Sequence, residues 1–239
     1  MSPLEQFKLV PYIRLYNNYY DLSITNSMIF LLFSSIIILS FFYNNNKIIS
    51  NRIGILCELL YLKIEEIIRD MIGKTKYIPM IISIFLFTLV NNLIGLVPYS
   101  FTTTSHIIIT WLISMTIVIG TTIIGISKHG RGFIRLFIPS GLNEGVTKYI
   151  IPLIFIIEII SYLSRVISLS VRLTANMISG HLLLHIVTNF GLHLSLIFFF
   201  IPLLILFPLY ILELAVAVIQ SYVISVLIVS YIKDVEYLH

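Results

Sequence analysis

Predominantly apolar stretches without a charged side chain occupy residues 22–43, 78–97 and 105–127. Each reaches the roughly 20 residues a helix needs to cross a bilayer, where every backbone polar group must be satisfied inside the segment. Three spanning helices are therefore predicted. Between the first two, residues 44–77 carry ten charges, while Ile48, Ile55, Leu59, Leu62, Ile67 and Met71 recur at helical spacing. That pattern predicts an amphipathic helix on the membrane surface, with a loop helix packed on a partner protein as the alternative. Either keeps the segment on one side.

Two further apolar stretches, 149–190 and 192–232, each exceed 40 residues, or about 60 Å of helix at the standard rise. The hydrocarbon core is about 30 Å thick, so an unbroken helix of that length crosses once only by leaning about 60° from the normal, far beyond the usual tilt of about 20°. The alternative is that each stretch breaks at Pro152, Gly180, Pro202 or Pro208 into two shorter spans. Hydropathy does not choose between them.

Hydrophobic residues make up 58% of the chain and charged residues 11%, well under the roughly 25% charge of a soluble domain. With no Gly/Ser-rich or Pro-rich linker and no internal repeat, residues 1–239 read as one membrane domain of the all-α class. The net charge of +4 resides in connecting segments rather than on a basic face interleaved with aromatics, so nucleic acid is not an expected partner. The lone Cys57 excludes an intrachain disulfide and argues against a thiolate metal site. No Gly-x4-Gly-Lys phosphate loop occurs, and neither nucleotide, metal nor other cofactor is expected. The first 21 residues lack a basic-then-apolar signal pattern, so the first apolar stretch is expected to be retained. Six Lys and Arg lie in 44–77, four in 128–148 and none in 98–104. Positive charge favours the inside, which puts the N-terminus outside and the C-terminus inside.

Within the two long stretches the only charged side chains are Glu158, Arg165, Arg172 and Glu213. Charges at membrane depth are rare and usually functional. At 100° per residue, Ser161, Arg165, Ser168, Arg172, Ala175 and Ser179 fall on a single face, within about 40° of a common direction. Small residues let another helix approach closely, which is ordinary helix packing. The arginines add a demand: a guanidinium keeps its proton, so in hydrocarbon it must find a carboxylate or a polar cavity. Within the chain the candidates are Glu158 and Glu213, and sequence fixes neither. Asn176, four residues after Arg172, could hold the guanidinium or a water beside it. Glu213, Ala217 and Gln220 share a face of the last helix. His181 lies on the opposite side of its helix from Arg172, as a structural histidine or as a proton carrier beside Glu213. In depth, Glu158 precedes Arg172 near the inner end and His181 follows it toward the outer end. Two stations flanking a fixed positive charge suit two offset half-channels. A secondary transporter would be expected to show inverted repeats, and a haem-carrying oxidoreductase a histidine pair across two helices; the sequence shows neither.

The run from Ser170 to His181, with its Arg172-Leu173-x-x-Asn176 core, resembles the signature of subunit a of the F-type ATP synthase. Further similarity lies in Ser2-Pro3-Leu4-Glu5-Gln6-Phe7, Asn92-Leu93, Pro98 to Phe101, Lys128-His129-Gly130, Glu158 to Arg165, Leu212-Glu213, Ile219-Gln220-x-Tyr222-Val223, and Tyr231 to Asp234. Gly180-His181 and the termini resemble mitochondrial, fungal-like forms. Some relatives carry a short removed leader; here Met1 directly precedes the segment resembling a mature start, and the sequence leaves the presence of a leader open.

The resemblance implies two long, strongly tilted helices wrapping a ring of c subunits, each carrying a mid-membrane carboxylate that Arg172 would face. It implies that protons enter from the intermembrane space by His181 and Glu213 and leave near Glu158 toward the matrix. Asn176 and Gln220 would line the path, with Arg165, Ser168 and Asn92 in support. The implied partners are the c-ring, the peripheral stalk, other membrane-sector subunits and lipid. The implied location is the mitochondrial inner membrane, and the subunit would be non-catalytic by itself.

Overall fold

Asn26 ends an N-terminal ladder and begins the first helix. Its side chain accepts a hydrogen bond from the Val10 amide (3.4 Å) and donates to the Lys8 carbonyl (3.2 Å), while its own amide donates to the Val10 carbonyl (3.2 Å). These bonds fasten β1 (Pro11–Ile13), which pairs antiparallel with β4 (Ile24–Thr25); β2 (Tyr16–Asn17) and β3 (Tyr20–Asp21) form a second small ladder. Because Ile24 and Thr25 are engaged as strand, α1 runs from Asn26 to Tyr43 rather than from residue 22.

The computed structural model describes residues 7–14, 16–17, 20–21, 23–43, 52–97, 100–130, 132–133, 151–192 and 200–237. The expectations placed on 2–6, 44–51, 98–99, Arg131, Arg135, Lys148 and 193–199 lie outside these residues. The helices that follow are α2 (Arg52–Ile72), α3 (Ile78–Gly95), α4 (Ile107–His129), α5 (Ile151–Leu192) and α6 (Phe200–Glu236), with single 3-10 turns at Thr75–Tyr77 and Thr103–Ser105. The architecture is an all-α membrane fold. Among the described residues four helical stretches are long and apolar enough to cross a membrane: Thr75–Gly95, Ile107–His129, Pro152–Gly191 and Leu204–Glu236; Asn26–Ser40 is a shorter apolar helix.

Both long stretches are single helices in their described parts. α5 has 42 residues and α6 has 37, continuing through Gly180, Pro202 and Pro208. At about 1.5 Å per residue that is roughly 63 Å and 55 Å, each well beyond the hydrocarbon thickness.

α6 is the hub, touching α2, α3, α4 and α5. Its Ile224, Ile228, Val229 and Ile232 share one core with Ile68 and Ile72 of α2, Ile81 and Phe85 of α3, Ile117 of α4, and Leu169 and Leu173 of α5. Small and hydroxyl residues line the close approaches, and the buried hydroxyls of Ser170, Thr174, Ser221 and Ser225 donate to carbonyls of their own helices. Their polar demand is thus met without crossing an interface. α2 is amphipathic, but only its C-terminal half packs inward: Ile64, Ile68 and Ile72 are buried, whereas Ile55, Leu59 and Leu62 stay exposed. It ends at Gly73, whose φ of +72° permits its amide to bond the Ile68 and Arg69 carbonyls.

At the end of α6, the buried Glu236 carboxylate pairs with Lys74, accepts from Lys128 Nζ at 2.7 Å and from the Tyr77 hydroxyl at 3.1 Å. The Tyr237 hydroxyl adds a bond to the Ile72 carbonyl (2.8 Å). This latch ties the α2–α3 corner and the end of α4 to the end of α6.

Candidate functional site

α5 and α6 lie side by side and antiparallel, so contacts occur in reversed order along the two chains. Gly191 approaches Pro202, Gly180 approaches Glu213, Asn176 donates to the Gln220 side-chain oxygen at 3.0 Å, and Arg165 reaches Asp234 at 3.3 Å. This register decides which sequence-predicted groups meet.

Near the middle of the pair is a cavity of about 130 Å³, lined by Asn92 from α3 and Leu96 just after it, by Asn176, Gly180 and His181 from α5, and by Glu213, Ala217 and Gln220 from α6. Glu213, Gln220 and Asn92 are buried, with 8%, 5% and 0% of their surfaces exposed. Both Glu213 carboxylate oxygens, both amide atoms of Asn92, Gln220 Nε2 and His181 Nε2 lack a hydrogen-bond partner among the described residues. Buried polar atoms without partners are costly unless water reaches them. Since liquid water takes about 30 Å³ per molecule, the cavity has room for several. Gly180 makes space for the carboxylate: a Cβ there would stand 2.5 Å from Glu213 Oε1.

His181 also lines a second, wider cleft of about 1210 Å³, between α1, the end of α3, the C-terminal half of α5 and the N-terminal part of α6. Apolar rings of Phe30, Phe101 and Phe207 form much of that cleft, with His185, Thr188 and Tyr210 among its polar groups. His181 and Leu96 line both spaces.

The arginines divide. Arg172 is exposed on α5, together with Ser168, Ala175, Asn176 and Ser179, and none of the ion pairs among the described residues includes it. Asn176 donates its amide Nδ2 to the Gln220 side-chain oxygen. Arg165 is half-buried, and its partner is neither Glu158 nor Glu213 but Asp234, with its guanidinium 5.2 Å above the Tyr231 ring. Glu158 lies near the start of α5, half-buried, and lines neither cavity. Residue spacing alone singles out neither Asp234, which enters only within the Tyr231 to Asp234 similarity, nor His185. The signal for Asp234 was the distribution of charge, since its carboxylate sits 69 positions after an arginine that needed one. Among the described residues no cluster of three or more His, Cys, Asp or Glu is placed to hold a metal.

Fold and site together define a multi-pass, all-α membrane protein with a cavity holding buried polar side chains beside its two longest helices and an exposed guanidinium on one of them. Residues 24–233 match the family described as the ATP synthase A chain, and the chain belongs to that family. Among its relatives are ATP synthase subunit a of Emericella nidulans, 44% identical across all of this chain and 97% of the relative, and that of Trichophyton rubrum, 43% identical across all of this chain and 98% of the relative. ATP synthase subunit a of Pelagibacter ubique (strain HTCC1062) is 41% identical, again across all of this chain and 98% of the relative.

Proposed function

We propose that this chain is the non-catalytic, proton-conducting stator subunit of the ATP synthase membrane sector, with two offset half-channels serving a rotating ring of c subunits. The observation that carries the reading is Glu213: a buried carboxylate without a hydrogen-bond partner among the described residues, in a small cavity that Asn92, Asn176 and Gln220 also line and that shares His181 with a wide cleft. A proton enters the cleft, passes His181 and Glu213, and reaches a ring carboxylate beyond Asn176 and Gln220; Asn92 contributes the third wall of that cavity. After the ring turns, the proton leaves near Glu158, on the side where the basic connections lie. Arg165 and Ser168 stand between that exit and Arg172.

Arg172 separates the two paths. Its exposure on a face of small residues leaves room for a partner helix, and a fixed cation there holds the facing carboxylate ionised. At about 4 Å the attraction is ~4 kcal/mol for an effective dielectric of about 20. Each charge crossing is driven by about 2.3 kcal/mol per 100 mV. The ring, the peripheral stalk and the other membrane-sector subunits are the partners, and lipid covers the remaining apolar surface. The fungal relatives favour the mitochondrial inner membrane. The basic connections favour an N-terminus in the intermembrane space and a C-terminus in the matrix.

The test compares Glu213→Gln with Glu158→Gln in the assembled complex, reconstituted in proteoliposomes of fixed orientation. Passive proton flux per assembled complex is expected to fall in both. In Glu213→Gln the loss is relieved by raising the external proton concentration, whereas Glu158→Gln responds to internal pH. Dependence of both variants on the same side's pH would overturn the two-path reading.

A further inference from the structure

The Phe7 ring meets the His181 imidazole edge to face, with centroids 6.5 Å apart and planes at 80°. That geometry is the favoured one for aromatic pairs. Phe7 is delivered there by the ladder fastened at Asn26: the hydrogen bonds from Asn26 to Val10 and Lys8 hold the residues directly after it, and the Pro11–Ile13 strand continues the attachment. Tyr12 and Asn26 of the same strap line the wide cleft that His181 also lines. The N-terminal strap therefore forms part of the cleft wall and places one aromatic ring on His181, which lines both the cleft and the inner cavity.

We infer that Phe7 is a positioning residue for His181. It orients the imidazole between the cleft and the inner cavity without consuming either ring nitrogen. A hydrogen-bonding partner would hold the ring by occupying a nitrogen, whereas a phenyl group restrains the ring plane and leaves both nitrogens to water. His181 Nε2 is buried and has no hydrogen-bond partner among the described residues, consistent with that division of labour. The inference rests on His181 acting as a proton station. Among the described residues, the titratable side chains lining the two spaces with His181 are Glu213 and Tyr210 of α6, His185 one turn further along α5, and Tyr12 of the strap, and Lys8 follows Phe7 in the chain; the variants below leave all five in place.

The experiment uses the complete ATP synthase in oriented proteoliposomes and measures proton flux per assembled complex against external pH for Phe7→Leu, Phe7→Tyr and His181→Gln. Phe7→Leu keeps apolar bulk but removes the ring. It is expected to assemble normally and to lower flux roughly two- to tenfold, the range an aromatic pair of this geometry is worth. Its external-pH profile should shift toward that of His181→Gln, and Phe7→Tyr should restore both. If His181→Gln changes the profile while Phe7→Leu does not, the positioning role is wrong and the proton-station reading stands. If Phe7→Leu lowers only the amount of assembled complex, with flux per complex unchanged, the contact is structural and the inference is overturned. If neither variant alters flux or profile, both the inference and the His181 station fall.

Discussion

Gly180 of α5 and Glu213 of α6 share the same space: a Cβ on the glycine would stand 2.5 Å from Oε1 and 3.0 Å from Cδ of the carboxylate. The side chain of the glutamate can bend away, so Gly180→Ala is compatible with the fold. Alanine also favours a helix by up to about 1 kcal/mol over glycine. The carboxylate, however, is pushed from its position beside His181. The expected outcome is unchanged or raised thermal stability together with proton flux lower by roughly 10- to 100-fold, the cost of misplacing a reacting group by about an ångström. Flux per complex and melting temperature, measured on one preparation, check the prediction; flux at the wild-type level would show that the carboxylate position is immaterial.

How much of this geometry was legible in the sequence follows the range of the interactions. The exposed face carrying Ser168, Arg172, Ala175 and Ser179, and the buried face carrying Glu213, Ala217 and Gln220, are set by the helical repeat alone, and both follow from residue spacing. The pairing of Arg165 with Asp234, the turn of Asn176 toward Gln220, and the reach of Asn92 from α3 depend on the register of α5 against α6 and on a third helix. No local pattern encodes them. The same holds for α1, whose start moves to Asn26 because Ile24 and Thr25 pair with a strand 11 or more residues upstream. The apolar run predicts helix at Ile24 and Thr25, and the ladder takes them instead.

Arg172→Ala is expected to reduce proton-driven ATP synthesis to background while leaving the complex assembled, because the guanidinium is exposed and supports no contact in the described core. Arg172→Lys should fail substantially as well. A lysine loses its proton more readily when desolvated, and it lacks the planar fork that meets a carboxylate and a water together. Synthesis rate against the amount of assembled complex is the measurement. Near-normal synthesis in Arg172→Ala would remove the separator role.

Glu236→Gln tests the latch at the end of α6. The carboxylate is buried, while Lys74 and Lys128 are partly exposed and can rehydrate once it is gone. The expected loss is therefore about 1–3 kcal/mol, as for charged hydrogen bonds, with proton flux per intact complex preserved. The Glu236 carboxylate beside Lys74 holds its ammonium above the ordinary lysine value. A raised lysine contributes stability that is fully present below the unfolded value, near 10.4, and is lost as pH rises through the folded one. The contribution of this lysine should consequently be flat between about pH 6 and 9. Urea or thermal unfolding of wild type and variant, compared across that range, should give two parallel curves.

Lys74 and Glu236 lie 162 positions apart. During synthesis, at about 5–20 residues per second, the corner between α2 and α3 emerges on the order of 10 to 30 s before the residue that fastens it. For that interval the early helices are held by their own packing alone. The chain therefore closes from its far end backwards: premature termination between Lys128 and Glu236 leaves an unlatched product, with two lysine cations and no Glu236 carboxylate to receive them.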